Sequence, residues 1–235
     1  MGKTVKKDYV KLFYQELSQK CDPKDFWGQV KRTVNGKPFN KAQIDLIKKT
    51  IINHLKLKKT DSLLDIGCGN GALSALFLEK INSLVGVDFS EYLISIAKEN
   101  FEKKPNHIFH LGDAYKFIVD YENKDKITKS VCYGTFAYFN FRTSEKMLSH
   151  LNKEYKNLAR IFLGNLPDKD RAEKFFYNNI DYASQLNDSK SAIGIWRTKD
   201  EMKKLAASCG WKTKFHQMPQ RFHGAHYRYD VLLTR

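Results

Sequence analysis

The run Ser62-Leu63-Leu64-Asp65-Ile66-Gly67-Cys68-Gly69-Asn70-Gly71 constrains the fold of this chain more than any other segment. A short apolar stretch ends in three glycines at alternate positions, and a segment with helical spacing, Ala72 to Ile81, follows. An apolar run of this length bounded by glycine reads as a buried strand. Glycines at a strand-to-helix turn allow the backbone to bend sharply and let a ligand lie against bare main chain. The helix start adds N–H groups and a field that favours negative charge. The segment therefore predicts a βα unit with a ligand site at the carboxyl end of its strand.

The same alternation continues. Leu84-Val85-Gly86-Val87-Asp88 reads as a second strand, with a helix from Glu91 to Glu102. His107 to Leu111, Ser130 to Tyr133 and Ala159 to Leu163 read as three more strands, with a helix from Ser144 to Lys156 before the last. Asp200 to Ser208 is helical and stops at Gly210, after which Trp211–Gln217 and Tyr227–Thr234 follow each other with no helix between. Strand–helix alternation predicts a doubly wound, mostly parallel α/β sheet. A direct succession of two strands predicts an antiparallel final pair. Upstream, Tyr9, Leu12, Phe13 and Leu17 have helical spacing, Asn35-Gly36 signals a turn, and Ile44, Ile47, Ile51, Ile52 and Leu55 mark a helix packed on the sheet. Residues 1–43 thus read as a helical and loop cap and 44–235 as the main domain, with a polar and aromatic insertion at about 165–196 shaped like a lid.

At 235 residues one α/β domain accounts for the chain. No window approaches the roughly 18 apolar residues that span a bilayer, and the first twenty residues lack the apolar core of a signal peptide, so a cytoplasmic protein with no membrane partner is expected. Cys21, Cys68, Cys132 and Cys209 are dispersed, with no C-x-x-C pair, which argues for reduced thiols and no metal site. The net charge of +15 suits an anionic partner, but the basic residues are interspersed with acids rather than massed in a tail. A small acidic substrate fits better than nucleic acid, which needs a basic face with stacking surfaces or an added module.

A glycine-rich turn alone leaves the cofactor open. Gly67-x-Gly69-x-x-Ala72 with Asp88 downstream also fits a dinucleotide fingerprint. Asp65 before the first glycine, Gly71 as a third glycine, and Asp113 in Leu111-Gly112-Asp113-Ala114 favour a different ligand. In these three features the chain resembles the class I S-adenosylmethionine-dependent methyltransferases. Leu64 to Gly71 is similar to their first motif, Gly86-Val87-Asp88-Phe89-Ser90 to the second, and Gly112-Asp113-Ala114 to the third. The resemblance covers Ile44 to Arg235 and implies a seven-stranded Rossmann-like sheet.

It also implies roles. Gly67, Cys68, Gly69 and Gly71 would pass under the methionine part of S-adenosylmethionine, with Asp65 orienting that turn and the amino group. Asp88 would accept hydrogen bonds from the ribose hydroxyls, since a carboxylate has acceptor sites for both. Phe89 would lie against adenine, and Asp113 with the Ala114 amide would read its edge. As an alternative, Asp113 caps a helix. Aromatic faces suit a sulfonium cation, and Tyr14, Trp27 and Tyr133 are candidates.

The acceptor should lie beyond the strand ends. Tyr138, His223 and His226 are the candidate catalytic groups there: imidazole near neutrality can take a hydroxyl proton, and Tyr138 can orient an acceptor. Arg221 and Arg228 could clamp an anion, and Lys37 could close over the site. Asn165-Leu166-Pro167 resembles the Asn-Pro-Pro-Tyr motif of nucleic-acid amino-methyltransferases only loosely: it follows the fifth strand and lacks the aromatic residue, which argues against that class. Phe26-Trp27, Thr33 to Pro38, Gly194-Ile195-Trp196 and Tyr227 to Asp230 resemble bacterial methyltransferases of surface-polysaccharide and secondary-metabolite clusters. That resemblance implies O-methylation of a sugar, a phosphorylated precursor or a similar polar small molecule. An RNA methyltransferase and a non-catalytic cofactor-binding scaffold are the alternatives.

Overall fold

Apolar residues on both faces of each central strand call for cover on both sides, and the computed structural model supplies it; it describes residues 9–177 and 181–235. The chain begins with α1 (Tyr9–Lys11), which continues through a π-helical turn (Leu12–Leu17) and a 3-10 turn (Ser18–Lys20). After α2 (Phe26–Gln29), the hairpin β1 (Thr33–Val34) and β2 (Lys37–Pro38) turns at Asn35 and Gly36, both at positive φ. Then come α3 (Lys41–Leu55), β3 (Ser62–Ile66), α4 (Ala72–Ala75), β4 (Ser83–Asp88), α5 (Glu91–Phe101), β5 (His107–Leu111) and α6 (Ala114–Asp120). The second half holds β6 (Lys129–Tyr133), α7 (Phe141–Glu154), β7 (Arg160–Pro167), α8 (Lys199–Ser208), β8 (Lys212–His216) and β9 (Arg228–Thr234).

Among the described residues the main sheet has seven strands in the order β5-β4-β3-β6-β7-β9-β8. The first five are mutually parallel, and β9 is antiparallel to both β7 and β8. This is the doubly wound sheet with an antiparallel end that the alternation of elements predicts. Consecutive residues of β3 enter different cores: Leu63 joins the cluster under α3 and α5, while Leu64 and Ile66 join the cluster under α6, α7 and α8. Strands covered on both faces need apolar residues at successive positions, which is why β3 carries no polar–apolar alternation.

Most boundaries shift by one to three residues from the sequence reading, and two differences are larger. The helix expected over Ala72–Ile81 is α4 and a separate 3-10 turn, Leu78–Lys80. The fifth parallel strand, expected to stop at Leu163, runs on to Pro167 as β7. Gly164 and Asn165 fall in a register shift against β9, and Asn165 takes φ of 64°. Glycine and proline weaken a regular strand but are accommodated at a bulge and at an end. The segment after Pro167 then builds a small core of its own, in which Trp196 is buried against Phe175, Phe176 and Tyr227. Residues 1–8 of the expected cap and 178–180 of the expected lid lie outside the described residues.

Candidate functional site

A cavity of about 350 Å³ opens at the carboxyl ends of β3, β4 and β6. Its floor is the turn after β3. Gly67 and Gly69 have φ of 74° and 56°, a region that residues with a Cβ adopt only under strain. A Cβ on Gly67 would stand 2.3 Å from Thr135 Cγ2, and one on Gly69 would stand 2.9 Å from Val30 Cγ1. The turn is therefore bare backbone by steric necessity. Gly67, Cys68 and Gly69 line the cavity; Gly71 does not. A Cβ on Gly71 would press on Phe109 at 3.0 Å and Ala97 at 3.1 Å, so this glycine serves the packing of α5 and β5 near the turn.

The acids divide in the same way. Asp88 and Asp113 line the cavity. Asp88 Oδ2 accepts from the Gly69 N–H at 2.9 Å and Oδ1 from the Ser90 N–H at 3.0 Å, which leaves each oxygen a further acceptor site. Burial raises its pKa, and the N–H groups of Ser90, Gly69 and Phe89 oppose that shift by bonding the ionised form. Asp113 caps α6, accepting from the Lys116 N–H at 2.9 Å, and also faces the cavity, so the capping reading and the ligand-facing position coexist. Asp65 sits a layer behind. It does not line the cavity but takes the Ser74 hydroxyl, tying β3 to α4 across the glycine turn. Burial pushes Asp65 up to about 6, against the Ser74 hydrogen bond and the Arg32 charge that lower it.

Phe89 and Tyr133 line the cavity, whereas Ala114 is buried outside it. Trp27 is also outside; its ring stands 5.8 Å from the guanidinium carbon of Arg32, which does line the cavity. Tyr14, Tyr138 and Phe139 also line the cavity, together with Val10, Lys11, Ser189 and Lys190. The Tyr138 hydroxyl donates to the Ala192 carbonyl at 3.0 Å, and Tyr14 meets the Tyr138 ring edge-on at 6.3 Å.

His223 and His226 do not line the cavity, so the structure does not bring these two expected catalytic groups together with Tyr138. The loop between β8 and β9 folds back onto α3 instead of arching over the strand ends. Gln43 of α3 holds it, donating to the Arg221 carbonyl at 2.8 Å and accepting from the His223 N–H at 2.9 Å. The His223 ring lies against Phe39 and the His226 ring against Tyr227. Arg228 donates to the Asn165 carbonyl at 2.6 Å, Arg221 is exposed, and Lys37 is exposed in the β1–β2 hairpin; none of the three lines the cavity.

Several wall residues carry no local signal in the sequence. Arg32, Val10, Lys11, Val30, Ser189 and Lys190 line the cavity, and the segments that carry them are fastened by hydrogen bonds between residues distant in sequence. Asn70, inside the glycine turn, donates to the Phe26 carbonyl at 2.7 Å and to Gln29 Oε1 at 2.9 Å, which fastens α2 beside the turn. Ser90 donates to the Tyr14 carbonyl at 2.5 Å and so fixes the first helical segment over Asp88. The Tyr9 N–H donates to the Lys190 carbonyl at 3.1 Å, joining that segment to the insertion. Asn70 was the accessible clue, a buried amide among glycines that must find partners.

The donor and acceptor set fits a nucleoside with an amino-acid end. There is an uncrowded main-chain cradle, a carboxylate at the next strand end for vicinal hydroxyls, and aromatic and apolar walls. Comparison with known proteins agrees. A family described as a methyltransferase domain matches residues 63–157. Ribosomal RNA small subunit methyltransferase A of Borrelia garinii subsp. bavariensis is 26% identical over 179 residues, 75% of this chain and 58% of that protein. Ubiquinone biosynthesis O-methyltransferase of Pelagibacter ubique is 40% identical over 76 residues, 30% of this chain and 31% of that protein. The chain spans less than two thirds of the length of the curated relatives it matches. Among solved structures, magnesium protoporphyrin IX methyltransferase from Synechocystis PCC 6803 with bound S-adenosylhomocysteine superposes with a TM-score of 0.63 at 15% identity, covering 96% of this chain and 98% of that one.

Proposed function

We propose that this chain, which has a methyltransferase domain at residues 63–157 and the class I methyltransferase fold, uses S-adenosylmethionine to methylate a polar small molecule, at oxygen, in a sugar or a phosphorylated precursor. The observation that carries this reading is the cavity itself. One half is the bare turn at Gly67 and Gly69 with Asp88 and Asp113, and the other half is a wall of Tyr14, Tyr138, Phe139, Ser189 and Lys190.

When bound, the cofactor supplies a methyl carbon made electrophilic by the adjacent sulfonium. The protein's task is alignment of an acceptor in line with that carbon. Gly67 and Gly69 would let the main chain bond the amino-acid end, and Asp88 would accept from the ribose hydroxyls. Tyr14 and Tyr138 line the same cavity and would offer aromatic surface to the positive centre. The Tyr138 phenol, whose pKa burial raises further, is neutral, and with its proton given to the Ala192 carbonyl its oxygen would accept a hydrogen bond from an acceptor hydroxyl. Lys11, Lys190 and Arg32 give the cavity a positive rim, which favours an acceptor bearing phosphate or carboxylate. The contacts of the insertion with α1 and with the turn after β6 close the site from one side and limit water access.

An RNA acceptor is the second reading. It is favoured by the relative from Borrelia garinii, matched over 75% of this chain, and by the net charge. Transfer of isotopically labelled methyl from S-adenosylmethionine into fractionated extract separates the two. Label in the low-molecular-weight polar fraction is the expected result. Label confined to RNA overturns the small-molecule assignment.

A further inference from the structure

The end of the insertion is sewn to the turn after β6. The Ile195 N–H donates to the Ala137 carbonyl at 2.7 Å, and the Tyr138 hydroxyl donates to the Ala192 carbonyl at 3.0 Å. Gly194 has φ of 80°, and a Cβ there would stand 2.6 Å from the Ala137 carbonyl oxygen, so the two main chains touch. Arg197 makes the third link. Its Nη2 donates to the Phe139 carbonyl at 3.0 Å and to the Ser144 hydroxyl at 3.1 Å, in the first turn of α7. Of the three residues held in this way, Tyr138 and Phe139 line the cavity. Arg197 is 3% exposed, forms no ion pair among the described residues, and leaves Nε and Nη1 without a partner there. Its guanidinium carbon lies 5.4 Å from the Phe136 ring and 4.8 Å from the Phe141 ring. Burial pushes its pKa down to about 10, against Tyr229 and Glu201, which raise it, so it remains a cation at neutral pH. A buried charge with no counter-charge lowers stability relative to an apolar side chain of similar size. The Phe139 carbonyl does not need it either, because it also accepts from the Ser144 hydroxyl at 3.2 Å. Stability does not account for an arginine at this position. What the side chain adds is a rigid tie between the insertion and the cavity wall.

We infer that Arg197 is a positioning residue for methyl transfer: by locking the Phe139 carbonyl to the end of the insertion, it holds Tyr138 where an acceptor hydroxyl meets it. The inference rests on the function proposed above, in which the Tyr138 oxygen takes a hydrogen bond from the acceptor. Arg197 does not line the cavity, so it acts through Tyr138 and Phe139 and not on a ligand. A small error of placement is enough, since a shift of about 1 Å caused far from the reacting atoms can slow a reaction about 100-fold. The insertion then does more than cover the site. Its last residues set the geometry in which an acceptor is received.

The test compares the parent with R197M, R197K, Y138F and the double variant R197M/Y138F. Calorimetry reads S-adenosylmethionine affinity, and thermal unfolding reads stability. Transfer of labelled methyl into the low-molecular-weight polar fraction of extract, at saturating cofactor, reads turnover. R197M should melt within about 3 °C of the parent and bind S-adenosylmethionine within about threefold of it. Its transfer rate should fall by about 10- to 100-fold. R197K keeps the charge without the planar fork and should recover part of that rate. In the Y138F background, R197M should cost about threefold or less, because the group it positions is already gone. Transfer by R197M at the parental rate overturns the assignment, and so do losses that multiply in the double variant. A steep fall in the melting temperature of R197M, or a parallel loss of cofactor affinity and transfer, makes Arg197 a structural residue and overturns it as well. A parent that methylates RNA alone overturns the small-molecule reading, and the same rate ratios on RNA then decide for or against Arg197. A parent that transfers to neither overturns the functional reading, and the assignment with it.

Discussion

Gly67 is the residue on which the cavity floor depends most. Its φ of 74° and the 2.3 Å approach of a Cβ to Thr135 leave no room for a side chain. Gly67→Ala should lower stability by about 1–3 kcal/mol and abolish cofactor binding, because either the turn or Thr135 must move into the cavity. Thermal unfolding and calorimetry check both effects, and an alanine variant that melts and binds as the parent does contradicts the steric argument. Asp230 is a second informative residue. It is buried, its Oδ1 accepts from the Asn165 N–H at 2.7 Å, and its Oδ2 has no partner. Burial raises its pKa from 3.8 to about 7, against the Asn165 N–H and Arg228, which lower it. The folded state therefore keeps a proton that the unfolded chain releases near its ordinary value, so stability falls as pH rises from about 4 to about 7 and levels off above that. Asp230→Asn keeps the acceptor oxygen and removes the buried charge. Its melting temperature relative to the parent should climb between pH 5 and pH 8; a constant difference would show that Asp230 is already ionised throughout.

At the scale of elements, the central parallel strands were legible because they are short apolar runs bounded by glycine or polar residues, and the edge strand β5 matches its expected range of His107–Leu111. The antiparallel end was legible from the missing helix between β8 and β9. Less visible was the roof. The segment from Tyr9 to Lys20 and the insertion up to Trp196 reach the cavity through contacts such as Ser90 to Tyr14 and Tyr9 to Lys190, and sequence periodicity does not report pairings of that range. For the same reason the place of Arg32 in the cavity wall has no signal in the sequence. The placement of the two histidines was not legible either, since a titratable loop near strand ends says nothing about which way the loop folds, and here Gln43 draws it onto α3. The insertion depends on Trp196, which is fully buried among Phe175, Phe176 and Tyr227. Trp196→Ala should cost about 3–5 kcal/mol locally and open residues 169–193 to protease while the sheet remains folded. Equal cutting of parent and variant would show that the aromatic cluster does not hold this segment.

For the molecule as a whole, the net charge is +15, with basic and acidic residues interspersed along the chain. Attraction by that charge is screened by salt, so binding of a short single-stranded RNA should be measurable at low ionic strength and lost by about 0.15 M salt. Tight binding that persists there, read by fluorescence anisotropy, would favour an RNA acceptor. No helix among the described residues is long and apolar enough to cross a membrane. The cavity lies at the carboxyl ends of β3, β4 and β6, where an open α/β sheet places its ligands, and the fold and the glycine turn together account for its position. The cofactor's identity is the claim on which the other assignments depend. Calorimetry with S-adenosylmethionine and NAD, on the parent and on Asp88→Ala, tests it most directly. The expected result is stoichiometric binding of S-adenosylmethionine alone, weakened at least about tenfold in Asp88→Ala by loss of a charged acceptor. Preferential binding of NAD, or an Asp88→Ala variant that holds S-adenosylmethionine as tightly as the parent, would contradict it.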